Sequence, residues 1–125
     1  MQRFVVDVGT VLSWFDAGGA GAHMRREYAA GGFAAVAPGR LHADILAELK
    51  RRSDLPPDRL AGVAAELPRV GIELHEPPLS LLAAWLARGL DSEVAPYAAL
   101  AESLDLRLVT TDPRLLRGAS SLVRG

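Results

Sequence analysis

The chain opens with a short apolar run that stops at a carboxylate: Phe4-Val5-Val6, then Asp7, then Val8-Gly9-Thr10-Val11-Leu12. Such a run predicts a buried parallel strand that delivers its acid to the sheet edge, where open α/β folds place their sites. The same pattern returns near the other end, where Leu106-Arg107-Leu108-Val109 leads into Thr110-Thr111-Asp112-Pro113. Between the two, the apolar spacing turns helical. Pro38 predicts a helix start, with Leu41, Ile45 and Leu49 on one face and the basic end Lys50-Arg51-Arg52 in its last turn. Pro56-Pro57-Asp58 opens a second helix ending near Arg69-Val70-Gly71, and Gly71 to His75 alternates as a strand does. Pro77-Pro78 opens a third helix through Leu81, Leu82, Trp85 and Leu86, stopped at Gly89. A helix over Ala95 to Leu104, a short helix after Asp112 and a terminal strand over Ser121 to Val123 complete the pattern. Strands alternating with single helices or helix pairs predict an α/β fold, a mostly parallel sheet with helices on both faces.

Composition narrows this picture without redirecting it. At 125 residues, half of them apolar, the chain fits one domain with one core. It has no apolar stretch near the roughly 20 residues that span a bilayer, and its start has no charged-then-apolar leader. The absence of Cys excludes disulfides and thiolate metal sites and fits a cytoplasmic location. A net charge of −1 gives no global attraction to nucleic acid. The basic residues are nonetheless almost all Arg, Lys50 being the single Lys, and Arg suits bidentate phosphate contacts; a genomic bias toward Arg, Ala, Gly and Leu accounts for the same count. The Gly-rich segment Asp16 to Ala22 predicts a loop, and without a Gly-Lys-Ser/Thr ending it is no phosphate-binding loop.

Four segments in order carry a family likeness: VVDVGTVLSWF, APGRLHADILAELKRR, SEVAPYAALAESL and LRLVTTDPRLL. Together they resemble the PIN domain, especially the VapC-type toxins of bacterial toxin–antitoxin pairs, over nearly the whole chain. The resemblance implies a three-layer α/β/α fold and an endoribonuclease that cuts RNA with three or four acids around Mg²⁺ or Mn²⁺. It makes Asp7 the first acid and Asp112 the last, and puts Asp44 where the family usually has Glu. The remaining acid stands three residues before the Tyr of the "YxALAE" run; that Tyr is Tyr97, and the position holds Val94. The polar residue that usually follows the first acid by two is here Gly9, with the Thr10 hydroxyl next to it. A homodimer and a cognate antitoxin are implied in the same way. Since Mg²⁺ keeps several waters, one or two carboxylates with substrate phosphate can hold it, so Val94 weakens the catalytic reading without ending it.

Other residues carry a functional and a plain reading side by side. Asp91 and Glu93 flank the Val94 position and are compensating acids, or else a helix cap and a solvated charge. Glu48 stacks one turn beyond Asp44, or pairs with Arg52 at i,i+4. Thr110 and Thr111 offer hydroxyls beside Asp112 for phosphate or for turn formation. Arg25, Arg26, Lys50, Arg51 and Arg52 are candidate RNA-phosphate contacts, or ordinary surface charges. His23, His42 and His75 share no metal-binding spacing, and Trp14 and Trp85 fall on apolar helix faces as core or dimer interface. The start DVGTVL also resembles haloacid-dehalogenase phosphatases, but the second Asp and the late Lys are missing, and the same missing Lys excludes a phospho-receiver. The rival to the nuclease is a PIN-fold protein that no longer cuts and works by binding RNA or protein.

Overall fold

A computed structural model describes residues 1–15, 19 and 21–124. Among the described residues, four strands and seven α-helices run in the order β1 Arg3–Val6, α1 Val8–Ser13, α2 Gly21–Ala29, β2 Ala34–Pro38, α3 Leu41–Ser53, α4 Pro57–Glu66, β3 Glu73–His75, α5 Leu79–Ala87, α6 Ala95–Leu104, β4 Arg107–Val109 and α7 Pro113–Gly118. The strands form one sheet of order β3-β2-β1-β4, every pair parallel. Helices complete a three-layer α/β/α arrangement, as the alternation of elements predicts. Among the described residues no helix is long and apolar enough to cross a membrane.

The strand order positions everything that follows. From β1 the sheet grows through β2 to β3 on one side, and β4 then returns to the other side of β1. The neighbours β1 and β4 therefore straddle the switch point, and their carboxyl ends open on the crevice where doubly wound sheets bind ligands. Val6 pairs with Val109, so Asp7 and Thr110 leave the sheet side by side.

The core explains why the sheet sits where it does. Helix α6 packs across β1, β2 and β4, and seven consecutive residues from Ala95 to Ala101 are buried. A helix apolar all round belongs in the interior, and its four alanines allow close approach to the strands. An aromatic cluster closes the other end: Trp14 stacks on Tyr28 at 5.0 Å, and Phe33 meets the Phe4 ring edge-on at 5.6 Å. The Tyr28 hydroxyl donates to the Val70 carbonyl at 2.8 Å, tying α2 to the approach to β3. Trp14 and Trp85, which sequence left as core or interface, are both core.

Three expectations need correction. Pro38 does not open a helix. It closes β2, opposite His75 of β3, and the helix begins at Leu41. Strand β2 was not foreseen because Ala34-Ala35-Val36-Ala37-Pro38 is Ala-rich, and alanine and proline are poor strand formers; burial between β1 and β3 overrides that preference. The terminal strand expected over Ser121 to Val123 is instead a 3₁₀ turn, Ser120–Leu122, after which Val123 alone bridges Leu108. The Gly-rich loop expected from Asp16 lies largely outside the described residues, and its last two, Gly21 and Ala22, belong to α2.

Leu100, at the centre of α6, is 1% exposed. Leu100→Ala is expected to lower unfolding free energy by about 2–5 kcal/mol in urea titration, the range for a leucine cavity; a loss below about 1 kcal/mol would mean that α6 is not the packing centre of the sheet.

Candidate functional site

Each acid singled out in the sequence is positioned by an element end. Asp7 leaves β1 in extended conformation and caps α1: the Thr10 N–H donates to its Oδ1 at 2.9 Å. The Thr110 hydroxyl, one residue past β4, donates to its Oδ2. Asp7 is thereby 5% exposed, with neutral donors on both oxygens. The Thr110 oxygen in turn accepts the Asp112 N–H at 2.9 Å, and the Thr10 hydroxyl donates to the Val109 carbonyl at 2.9 Å. Both threonines thus stitch the end of β1 to the end of β4.

Asp112 caps α7. Its Oδ1 accepts the Arg114 N–H at 2.8 Å, and the Arg114 guanidinium grips both oxygens at 3.1 and 2.9 Å. That fork, opposed by partial burial and helped by the backbone donors, holds the Asp112 carboxyl below the usual range. Arg114 also approaches Asp91 at 3.3 Å and Glu93 at 3.7 Å. Asp91 does not cap α6, whose N-cap position is Val94; its side chain instead accepts the Glu93 N–H at 2.9 Å in the turn before the helix, and its carboxyl is held low chiefly by that bond.

Asp44 lies in the first turn of α3. Its Oδ2 accepts Arg40 Nε at 2.7 Å and the Tyr97 hydroxyl at 3.1 Å. Tyr97 is buried on α6, and burial followed by the Asp44 charge pushes its phenol well above the ordinary value. One turn on, Glu48 accepts Arg52 Nε at 2.7 Å and is also gripped by Arg51. Those two arginines hold its carboxyl low, against some burial.

These groups share one open cleft of about 720 Å³, lined by Asp7, Asp44, Glu48, Glu93 and Asp112 together with Arg40, Arg51, Arg52 and Arg114. Val94 and Tyr97 form part of its wall, and Val94 is 5% exposed, an apolar surface where the family resemblance has an acid. Thr111 and Gly9 also line the cleft, whereas Arg25 and Arg26 stand on α2 and His23, His42 and His75 lie outside it. Sequence reasoning missed Arg40 and Arg114, the cations on two of the three acids. The signals were present as i,i+4 spacing before Asp44 and as the second residue after the Asp112 cap.

Carboxylate oxygens are the hard donors that Mg²⁺ and Mn²⁺ take, so the chemistry of Asp7, Asp44 and Asp112 fits such an ion. Among the described residues, however, no three His, Cys, Asp or Glu side chains stand close enough together to hold one. Arg40 and Arg114 neutralise Asp44 and Asp112 from within, so holding an ion there requires those guanidinium groups to swing aside. Fold and cleft define the class: a parallel α/β/α domain with an acid- and arginine-lined crevice at its switch point.

No protein-family model and no curated protein sequence matches the chain. Among solved structures, the crystal structure of PAE2754 from Pyrobaculum aerophilum is similar: its TM-score is 0.64 at 25% identity, over 94% of this chain and 84% of that one.

Two outcomes follow from this geometry. Thr110→Val removes the donor to Asp7 and the acceptor of the Asp112 N–H, and is expected to cost about 1–3 kcal/mol of stability in urea titration; an unchanged midpoint would rule out the stitch as a significant contributor. Both tyrosines of the chain, Tyr28 and Tyr97, have phenols raised by burial first and then by Glu73 and Asp44 respectively. Ultraviolet titration should therefore show both tyrosines of the folded protein ionising above the pH of about 10 at which free tyrosine does, Tyr97 the later of the two. The unfolded chain sheds these protons first, so stability should fall as pH rises through that range. A tyrosinate band with an ordinary midpoint in folded protein would contradict the burial.

Proposed function

We propose that this chain is a PIN-type, VapC-like endoribonuclease that depends on Mg²⁺ or Mn²⁺. The observation that carries the reading is convergence: Asp7, Asp44 and Asp112, from three distant stretches of sequence, line one cleft at the switch point of the sheet. In this reading the three carboxylates hold the ion, which supplies Lewis-acid charge and an acidified water for phosphodiester hydrolysis. The chain's own groups do the positioning. Thr10 and Thr110 fix the Asp7 carboxylate, and Tyr97 orients Asp44. Arg40 and Arg114 keep the acids neutralised until substrate phosphate draws them away. A cytoplasmic setting, a homodimer and an antitoxin that covers the cleft belong to the same proposal and rest on the family resemblance.

A second reading is favoured by Val94 together with the two arginine–aspartate pairs: a PIN-fold protein that binds RNA or a partner without cutting. Cleavage of single-stranded RNA in Mn²⁺ separates the two. The nuclease is expected to lose activity on the order of a hundredfold or more in Asp7→Asn and in Asp112→Asn, the scale for removing a group that stabilises developing charge. Wild-type protein that is inert but gains cleavage through Val94→Asp would establish the second reading. Cleavage undiminished in both Asn variants would sink the nuclease assignment.

A further inference from the structure

A second depression of about 300 Å³ adjoins the cleft, lined by Trp85, Arg88, Gly89, Leu90, Asp91, Arg114, Arg117 and Gly118. Arg114 lines both, so the two are continuous across one guanidinium. From this depression we infer a phosphate subsite: Arg88 and Arg117 bind the phosphodiester backbone of single-stranded RNA beside the cleft. The inference rests on the ribonuclease reading above and names where its substrate is gripped.

In the cleft itself Arg51 and Arg52 are both committed to Glu48, Arg40 to Asp44 and Arg114 to Asp112. Lys50 is paired with Asp54. A polyanion approaching this surface thus meets carboxylates already holding their counter-charges. Arg88 and Arg117 differ: among the described residues neither makes an ion pair. The one acid lining the depression, Asp91, is held by Arg114 and by the Glu93 N–H.

Both free arginines are also pre-positioned, which lowers the ordering cost of binding. The Arg88 guanidinium lies 4.1 Å from the centroid of the Trp85 ring. Trp85 is itself 2% exposed and its indole N–H donates to Glu102 at 2.8 Å, so the platform under Arg88 is rigid. Stacking uses the face of the guanidinium and leaves its in-plane N–H donors for an anion. Arg117 is held through Nε to the Pro113 carbonyl at 3.3 Å. Glycines keep the walls low. A Cβ on Gly118 would meet Leu90 Cδ1 at 2.8 Å, and Gly89 turns the chain at φ 94° where a side chain is disfavoured. The space is at the lower end for ligand pockets, suited to one backbone phosphate and its sugar rather than to a large ligand.

The test is fluorescence anisotropy with a short labelled single-stranded RNA in EDTA, where hydrolysis is excluded, over a range of salt. Arg88→Gln with Arg117→Gln is expected to weaken binding on the order of tenfold and to flatten the log–log salt slope by about 1.4, two contacts at about 0.7 each on a single strand. Arg51→Gln with Arg52→Gln should change affinity by less than about twofold, on the same counting. Arg117 is exposed, so Arg117→Gln alone carries the test, with a slope change of about 0.7, should loss of the Trp85 stack unfold the double variant. Unchanged affinity and slope in Arg117→Gln, or loss confined to the Arg51 and Arg52 variants, overturns the subsite. If wild-type protein cleaves RNA while these variants bind normally, the subsite fails alone. Wild-type protein that neither binds nor cleaves RNA defeats the ribonuclease reading and the subsite together.

Discussion

The structure depends on a short relay of hydrogen bonds between two strand ends. The Asp112 N–H donates to the Thr110 hydroxyl, the Thr110 hydroxyl to Asp7, and Asp7 also receives the Thr10 N–H, while the Thr10 hydroxyl returns to the Val109 carbonyl. Without this relay β1 and β4 would still pair as far as Val6 and Val109, but their continuations would diverge into separate helices. With it, two helix N-termini, α1 and α7, leave the sheet at fixed angles from capped aspartates. A buried carboxylate is costly unless its oxygens are satisfied, and the donors that satisfy Asp7 come from the segments that follow each strand, Thr10 after β1 and Thr110 after β4. The same residue therefore caps a helix, closes the switch point and presents a charge to the cleft.

Charge in the cleft is handled differently at its two depths. The deep acid, Asp7, is met only by neutral N–H and O–H donors. The shallower ones, Asp44, Glu48 and Asp112, each hold an arginine close by in sequence, four residues away at Asp44, three and four at Glu48 and two at Asp112. Local pairing of this kind contributes little stability at exposed positions. Its consequence is electrostatic: the carboxylates do not repel one another, and the cleft stays close to neutral without any outside cation. A ligand that binds there has to displace a guanidinium or accept one. Arg114 is the extreme case, since it faces Asp112, Asp91 and Glu93 at once.

How much of this was legible follows from how local each signal is. Asp7 and Asp112 could be found because an apolar run ending in an acid is written in consecutive residues, and both do stand at strand ends. Helix α6 is legible to about a residue because Pro96 marks its start locally. Strand β2 is not, since Ala34-Ala35-Val36-Ala37-Pro38 has weak strand propensity and becomes a strand only by lying between β1 and β3. The convergence of Asp44 on the other acids was available only through family resemblance. Nothing within α3 says that its first turn faces Tyr97, a contact spanning 53 positions of sequence. The arginines were the reverse case: their spacing was visible, yet a cation near an acid is so common on helices that spacing alone gave no reason to place one in a site.

Val94 shows how the two levels meet. By resemblance it stands where the PIN family has an acid; as structure it is a buried apolar side chain that precedes the most buried helix among the described residues, with Asp91 and Glu93 just before it turned toward Arg114. An acid at position 94 would be buried in a cleft wall shared with Tyr97, where burial opposes ionisation. Valine removes that conflict and adds apolar area to the core. The acids flanking it are then free to hold Arg114, and Arg114 is the residue through which the cleft opens onto the depression bearing Arg88 and Arg117. An anion entering at that junction therefore competes with Asp91, Glu93 and Asp112 for one guanidinium, whereas Arg88 and Arg117 beyond it hold no carboxylate among the described residues.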